Sequence, residues 1–164
     1  NVAIVCAAAD FLHENTPLSI SRRAFIEGLR DVVQLTSFQG RWQVLSREPY
    51  MVCDTGHNAD GLRYVAKQLE ALECDRLYCV IGFAREKDLD KIMPLLPAKA
   101  YYIFTRAQID RARDVEDIAQ RAEVLGLKYE CQPTVREAIA RARCLALEND
   151  AIFIGGSNFV VAEI

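Results

Sequence analysis

The chain has 164 residues, 51% of them hydrophobic and 26% charged, with a formal net charge of −3 at pH 7. That length and apolar content allow one sizeable core plus an appendage, and the well-mixed charges argue against a surface that tracks the phosphates of DNA or RNA. No apolar run reaches membrane-spanning length and no charged leader with a small-residue cleavage site opens the chain, so neither a membrane partner nor secretion is expected.

In chain order, Asn1 to Leu12 are nearly all small or apolar and read as a helix joined without a capping residue, as though already under way. Thr16-Pro17 interrupts it. Phe25, Leu29, Val32 and Val33 then mark one face of a second helix that starts near Ser19 or Ser21. A polar link from Thr36 to Gly40 separates this helical hairpin from an alternating βα pattern.

Trp42 to Ser46 and Tyr50 to Asp54 read as strands joined across Arg47-Glu48-Pro49, a link short enough to require an antiparallel hairpin. After Asp54 the polar turn Thr55-Gly56-His57-Asn58 opens a helix with Leu62, Val65, Ala66, Leu69 and Leu72 on one face. Strand Leu77 to Ile81, helix Asp88 to Leu96, strand Ala100 to Phe104 and a helix carrying Val115, Ile118, Ala119 and Ala122 follow. Next come strand Lys128 to Cys131, a helix opened by the capping box Thr134 to Glu137, and strand Ala151 to Ile154 leading into Gly155-Gly156-Ser157. The fold class is therefore α/β, a six-stranded sheet with five parallel strands and one antiparallel, covered by helices on both faces and preceded by a helical hairpin.

Six cysteines and two histidines offer no Cys-x-x-Cys and no clustered zinc ligands. Cys53, Cys79 and Cys131 fall in strands and Cys6 and Cys144 in helices, where they read as small buried hydrophobes in a reduced, cytoplasmic protein.

In open α/β folds ligands gather where strands end and helices begin, which makes Asp54 and His57 site candidates. The hairpin spacing places Arg41 or Trp42 opposite Asp54, so Arg41 and Asp54 meet at one edge of the sheet. A guanidinium offers a stacking face and a carboxylate accepts from ribose hydroxyls, a pairing that suits a nucleoside. The same pair also reads as a surface ion pair worth roughly 0 to 1 kcal/mol, and on spacing alone that is the commoner case. His57 can bind an anion or be satisfied by nearby backbone. Asn58 and Asp88 read as helix N-caps, Lys87 as a solvated charge, and Gly155-Gly156-Ser157 either as a ligand-approaching turn or as a tight turn with Ser157 as N-cap. No Gly-x-Gly-x-x-Gly, no Gly-x-x-x-x-Gly-Lys-Ser/Thr and no Gly-x-Ser-x-Gly occurs, which removes a dinucleotide fingerprint, a P-loop and a serine-hydrolase elbow from these residues.

Gly40-Arg41-Trp42, Asp54-Thr55-Gly56-His57-Asn58, Gly82 with Glu86-Lys87-Asp88, and Gly156-Ser157-Asn158-Phe159-Val160-Val161 with Glu163 resemble, in order and spacing, the C-terminal domain of folylpolyglutamate synthase, often bifunctional with dihydrofolate synthase, in the Mur ligase superfamily. The resemblance covers the entire chain. It implies that residues 1–36 are the terminal helices of a preceding P-loop ATPase domain and 37–164 a Rossmann-like C-terminal domain. It further implies an ATP- and magnesium-dependent ligase that joins L-glutamate to dihydropteroate or a folate through an acyl phosphate, with the metal held mainly by the preceding domain. Asn1, Arg41 and Asp54 then match positions that contact ATP, while His57 and Ser157 match positions facing the incoming glutamate; no catalytic residue is assigned. Thr55-Gly56 stands where Gly-Ala is usual, Ala59 where Pro is usual and Glu86 where Asp is usual. These 164 residues alone are expected to be inactive. A peptidoglycan-precursor ligase of the same superfamily and a non-catalytic α/β nucleotide-binding module are the alternative readings.

Overall fold

The structure, a computed structural model, describes residues 2–164; the expectation for Asn1 lies outside the described residues. Two compact units divide the chain, Asn1–Gln39 and Gly40–Ile164.

The first unit consists of α1 (Val2–Asn15), α2 (Arg22–Arg30) and α3 (Val32–Thr36). Thr16 Oγ1 donates to the Leu12 carbonyl at the end of α1, and Ser21 caps α2 by accepting from the Ala24 N–H at 3.1 Å. The second predicted helix is split in two at Asp31, whose φ of −104° and ψ of 16° leave the helical region. Among the described residues of these three helices none is buried. No helix among the described residues is long and apolar enough to cross a membrane.

The second unit is built on six strands, β1 (Gln43–Arg47), β2 (Tyr50–Asp54), β3 (Leu77–Ile81), β4 (Tyr101–Phe104), β5 (Lys128–Cys131) and β6 (Ala151–Gly155), in the order β1-β2-β6-β3-β4-β5. Only β1 runs antiparallel to its neighbour, as the short hairpin link demands. β6 lies between β2 and β3 with all five residues buried, which is why its sequence is a continuous apolar run and not an alternating one.

Side chains alternate between two cores. Val52, Cys79, Ile81, Tyr102, Phe104 and Phe153 pack under α4 (Ala59–Glu70), α5 (Leu89–Ile92) and α6 (Val115–Val124). Met51, Cys53, Tyr78, Val80, Ile103, Ile152 and Ile154 face α7 (Val135–Leu145) and α8 (Asn158–Val161). Apolar faces recurring at helical spacing thus close both sides of the sheet. Asn58 caps α4 by accepting from Gly61 N–H at 2.8 Å, Asp88 caps α5 by accepting from Asp90 N–H at 3.1 Å, and Thr134 caps α7 by accepting from Glu137 N–H at 3.2 Å.

Three local expectations are corrected. The helix read from Asp88 to Leu96 stops at Ile92 and continues as a 3-10 turn over Met93–Leu95, because Pro94 has no N–H to extend the α-helical ladder. β1 begins at Gln43, since Trp42 sits at φ 40°, outside any strand conformation. The cysteines divide: Cys53 and Cys79 are buried, Cys6 and Cys74 half-buried, and Cys131 and Cys144 exposed, because edge strand β5 and the last turn of α7 leave them uncovered. Burial pushes the Cys79 thiol far above its ordinary range. Iodoacetamide at pH 8 should therefore modify Cys131 and Cys144 in the native protein and reach Cys79 only after denaturant is added; mass spectrometry of the labelled peptides checks this, and native labelling of Cys79 at the rate of Cys144 would contradict it.

Candidate functional site

β2 and β6 are neighbours whose onward connections go to opposite faces of the sheet, β2 into α4 on one side and β6 into α8 on the other. Such a divergence opens a crevice at the carboxyl ends of the strands, where α/β proteins place ligands. Asp54 and Gly155 pair in register across it, and Gly155 also pairs with Ile81 of β3. Here Gly156 has φ 87°, and a Cβ on it would lie 2.8 Å from the Gly82 carbonyl oxygen, so only glycine lets the two strand ends approach.

On this edge the hairpin brings Arg41 to Asp54. The turn pairs Arg47 with Tyr50 and Ser46 with Met51, one residue out of the expected register, but a bulge between Val44 and Ser46 restores it so that Gln43 faces Cys53. Arg41 Nη1 then lies 3.5 Å from Asp54 Oδ1, with the Arg41 side chain 61% exposed and that of Asp54 only 5%. Both oxygens of the carboxylate also accept from backbone: Oδ2 from Trp42 N–H at 2.8 Å, Oδ1 from Gly56 N–H at 2.6 Å. The buried carboxylate is thus satisfied by two amide donors and one cation, an arrangement that holds it in place. Arg41, by contrast, keeps most of its guanidinium free for a planar ligand above the carboxylate.

His57 is half-buried, and its Nδ1 lies 3.0 Å from the Thr55 carbonyl, which can only accept, so Nδ1 donates in this bond and Nε2 stays outside it. Ser157 is buried at the end of β6 and caps α8 by accepting from Phe159 N–H at 3.1 Å, which leaves its hydroxyl proton to donate elsewhere. Arg41, Asp54, His57 and Ser157 accordingly share one edge. Asn1 is not among the described residues.

The loop after β3 borders this edge. Glu86 pairs with Arg111 at 2.6 Å, and its carboxyl is held below its ordinary value by backbone N–H and by that guanidinium. Asp88 is also held low, chiefly by Lys91 at 3.0 Å. Neither Arg111 nor Arg113 stood out in the sequence, yet both organise this loop. Arg113 donates from its guanidinium to the carbonyls of Arg85 and Lys87, and Ala84 and Ala112 form an antiparallel bridge beside it. Arg111 also stands over the Phe159 ring, 5.8 Å from its centroid. The available signal was three arginines, Arg106, Arg111 and Arg113, in a stretch after β4 with no helical period. A cavity of about 480 Å³ opens beside Lys87, between α5 and α6. A larger one of about 940 Å³ lies at the amino ends of β3 and β4, away from these residues.

The model of the Mur ligase, glutamate ligase domain, matches residues 40–158. The chain belongs to that family. A probable bifunctional folylpolyglutamate synthase/dihydropteroate synthase of Haloferax volcanii is 34% identical over 145 residues, covering 88% of this chain and 17% of that protein. Escherichia coli FolC in complex with DHPP and ADP superposes with a TM-score of 0.74 at 26% identity, over 90% of this chain and 34% of its own. A Yersinia pestis bifunctional folylpolyglutamate synthase/dihydrofolate synthase complexed with AMPPNP and a manganese ion gives a TM-score of 0.75 at 26% identity and the same coverage. This Mur ligase domain therefore spans 17% to 34% of these three proteins, and the likeness read from its motifs holds at the level of family and fold.

The clasp around Asp54 makes a stability prediction for the Mur ligase domain. Asp54→Ala leaves two backbone donors unpaired and should cost about 2 to 4 kcal/mol, whereas Arg41→Ala removes only an exposed partner and should cost less than about 1 kcal/mol. Urea unfolding of both variants checks the order, and equal midpoints would show that the carboxylate does not clasp the turn.

Proposed function

We propose that this chain is the C-terminal domain of an ATP-dependent ligase that adds L-glutamate to dihydropteroate, to folates, or to both. The observation that carries the reading is the exposed Arg41 guanidinium anchored on a buried Asp54 at the carboxyl edge, in a chain that belongs to a glutamate ligase family. On this reading Arg41 stacks on the base of ATP, while Asp54 orients Arg41 and faces the ribose hydroxyls. His57 and Ser157 receive the incoming glutamate, the imidazole through Nε2 and the hydroxyl through its free proton.

The reaction has two steps. The acceptor's carboxylate oxygen attacks the γ-phosphorus of ATP, the bond to the β-phosphate oxygen breaks, and ADP leaves an acyl phosphate. The amine of glutamate then attacks the acyl carbon, the C–O bond to phosphate breaks, and inorganic phosphate and a proton depart as the amide forms. Holding amine and acyl phosphate together with water excluded is the domain's contribution, since the first intermediate would otherwise hydrolyse. Magnesium, when bound, neutralises the phosphate charges. We assign it mainly to the preceding domain, as the family resemblance implies.

Residues 1–36 are read as the closing helices of that P-loop domain, in keeping with three helices that bury none of their described residues. The complete protein is placed in the cytoplasm.

In the complete enzyme, Arg41→Ala should raise the KM for ATP about tenfold or more while leaving the KM for glutamate within about twofold, as expected for loss of a charge-assisted contact. Unchanged ATP kinetics would remove Arg41 from the nucleotide site. Phosphate release with dihydropteroate, with a folate and with a peptidoglycan-precursor nucleotide as acceptor identifies the substrate, and a response to the last alone would overturn the folate assignment. The 164 residues by themselves should show no glutamate ligation in the same assay; robust turnover would contradict a divided active site.

A further inference from the structure

The tripeptide Gly40-Arg41-Trp42 that presents the guanidinium is held in an uncommon backbone shape. Gly40 has φ 77° and Trp42 φ 40°, so Arg41 lies between two left-handed residues, one of them a bulky aromatic that seldom adopts such a conformation. Three sets of bonds keep it there. The Gly40 N–H donates to Gln43 Oε1 at 2.8 Å, and the same oxygen lies 3.9 Å from the thiol of Cys53, the cross-strand partner of Gln43. The Gly40 carbonyl accepts twice from Thr55, from its N–H and from its Oγ1, each at 2.8 Å. The Trp42 N–H is taken by Asp54.

Asp54 alone would leave the other end of the tripeptide free to swing. The bonds to Gly40 determine where the chain enters the reversal, and hence where Arg41 stands relative to the carboxylate. Thr55 lies at the pivot: its methyl packs against Gly40, where a Cβ would come within 2.7 Å of Thr55 Cγ2, its hydroxyl and N–H hold the Gly40 carbonyl, and its own carbonyl accepts from His57 Nδ1 at 3.0 Å.

We propose that Thr55 is a positioning residue for Arg41: its hydroxyl latches the Gly40 carbonyl, with Gln43 latching the Gly40 N–H, so that the guanidinium is presented to the nucleotide already in place. Thr55 touches no substrate. It acts on ATP through Gly40 and Arg41, and its backbone carbonyl ties the same turn to His57. The latch belongs to the side chain, so a glycine at position 55 could supply the N–H bond but not the hydroxyl. This inference rests on the nucleotide reading of Arg41.

The test is a set of variants in the complete enzyme, with ATP and glutamate varied separately. Thr55→Val keeps the branched shape and the N–H bond but loses the hydroxyl; it should raise the KM for ATP three- to tenfold, with kcat at saturating ATP and the KM for glutamate within twofold of the parent. Thr55→Ser should restore the KM for ATP, and Gln43→Met should raise it in the same direction. In the Arg41→Ala background Thr55→Val should add nothing, because the group it positions is gone. An unchanged KM for ATP in Thr55→Val beside a raised one in Arg41→Ala overturns the latch and spares the nucleotide site. An unchanged KM in Arg41→Ala overturns both. A Thr55→Val enzyme that loses kcat, both KM values and its melting temperature together, or whose effect persists in full without Arg41, shows a merely structural threonine.

Discussion

The Asp54 carboxylate, buried at the end of β2, is the point on which the site depends. It accepts one backbone N–H from the strap before β1 and one from the turn before α4, and so joins two segments that no regular ladder connects. A carboxylate removed from water is tolerated only when donors replace the lost hydration, and here two amides and a guanidinium do so. The consequence is functional as well as structural, because the same bonds that keep the charge in place also hold the arginine beside it.

Around that point the sheet supplies a rigid frame. β6 is buried on every residue and pairs with both β2 and β3, so the ends carrying Asp54, Gly155 and Ile81 cannot shift independently. The glycine contact between β6 and the residue after β3 tightens the same edge. Divergence of the connections after β2 and β6 leaves the crevice open above it, and helices on both faces make the frame stiff enough to present side chains precisely placed for a ligand.

Charge is distributed to match. The loops at the carboxyl ends carry Arg85, Lys87, Arg106, Arg111 and Arg113, several of them neutralised locally by Glu86, Asp114 and Asp117. Arg113 does its work on backbone carbonyls and not on a partner acid alone, so its role is to shape the loop containing Lys87. Arg41 makes a longer contact, 3.5 Å to Asp54, than the 2.6 and 2.7 Å pairs of Arg111 and Arg106.

Hydrophobic periodicity and turn residues were enough to read the α/β class, the strand count, the hairpin and most helix caps, because these depend on neighbours close in sequence. β2, β3 and β5 fall where the alternation placed them, and Thr134 and Asn58 cap as their positions require. The meeting of Arg41 with Asp54 was also legible, since the short link Arg47-Glu48-Pro49 sets the hairpin's register to within one residue. What the chain's order could not reveal was the insertion of β6 between β2 and β3, the bulge that corrects the register, the roles of Thr55, Gln43 and Arg113, and the exposure of Cys131 and Cys144. Those features come from contacts between residues distant in sequence, or from which strand ends at an edge, and only the closed packing of sheet and helices determines them.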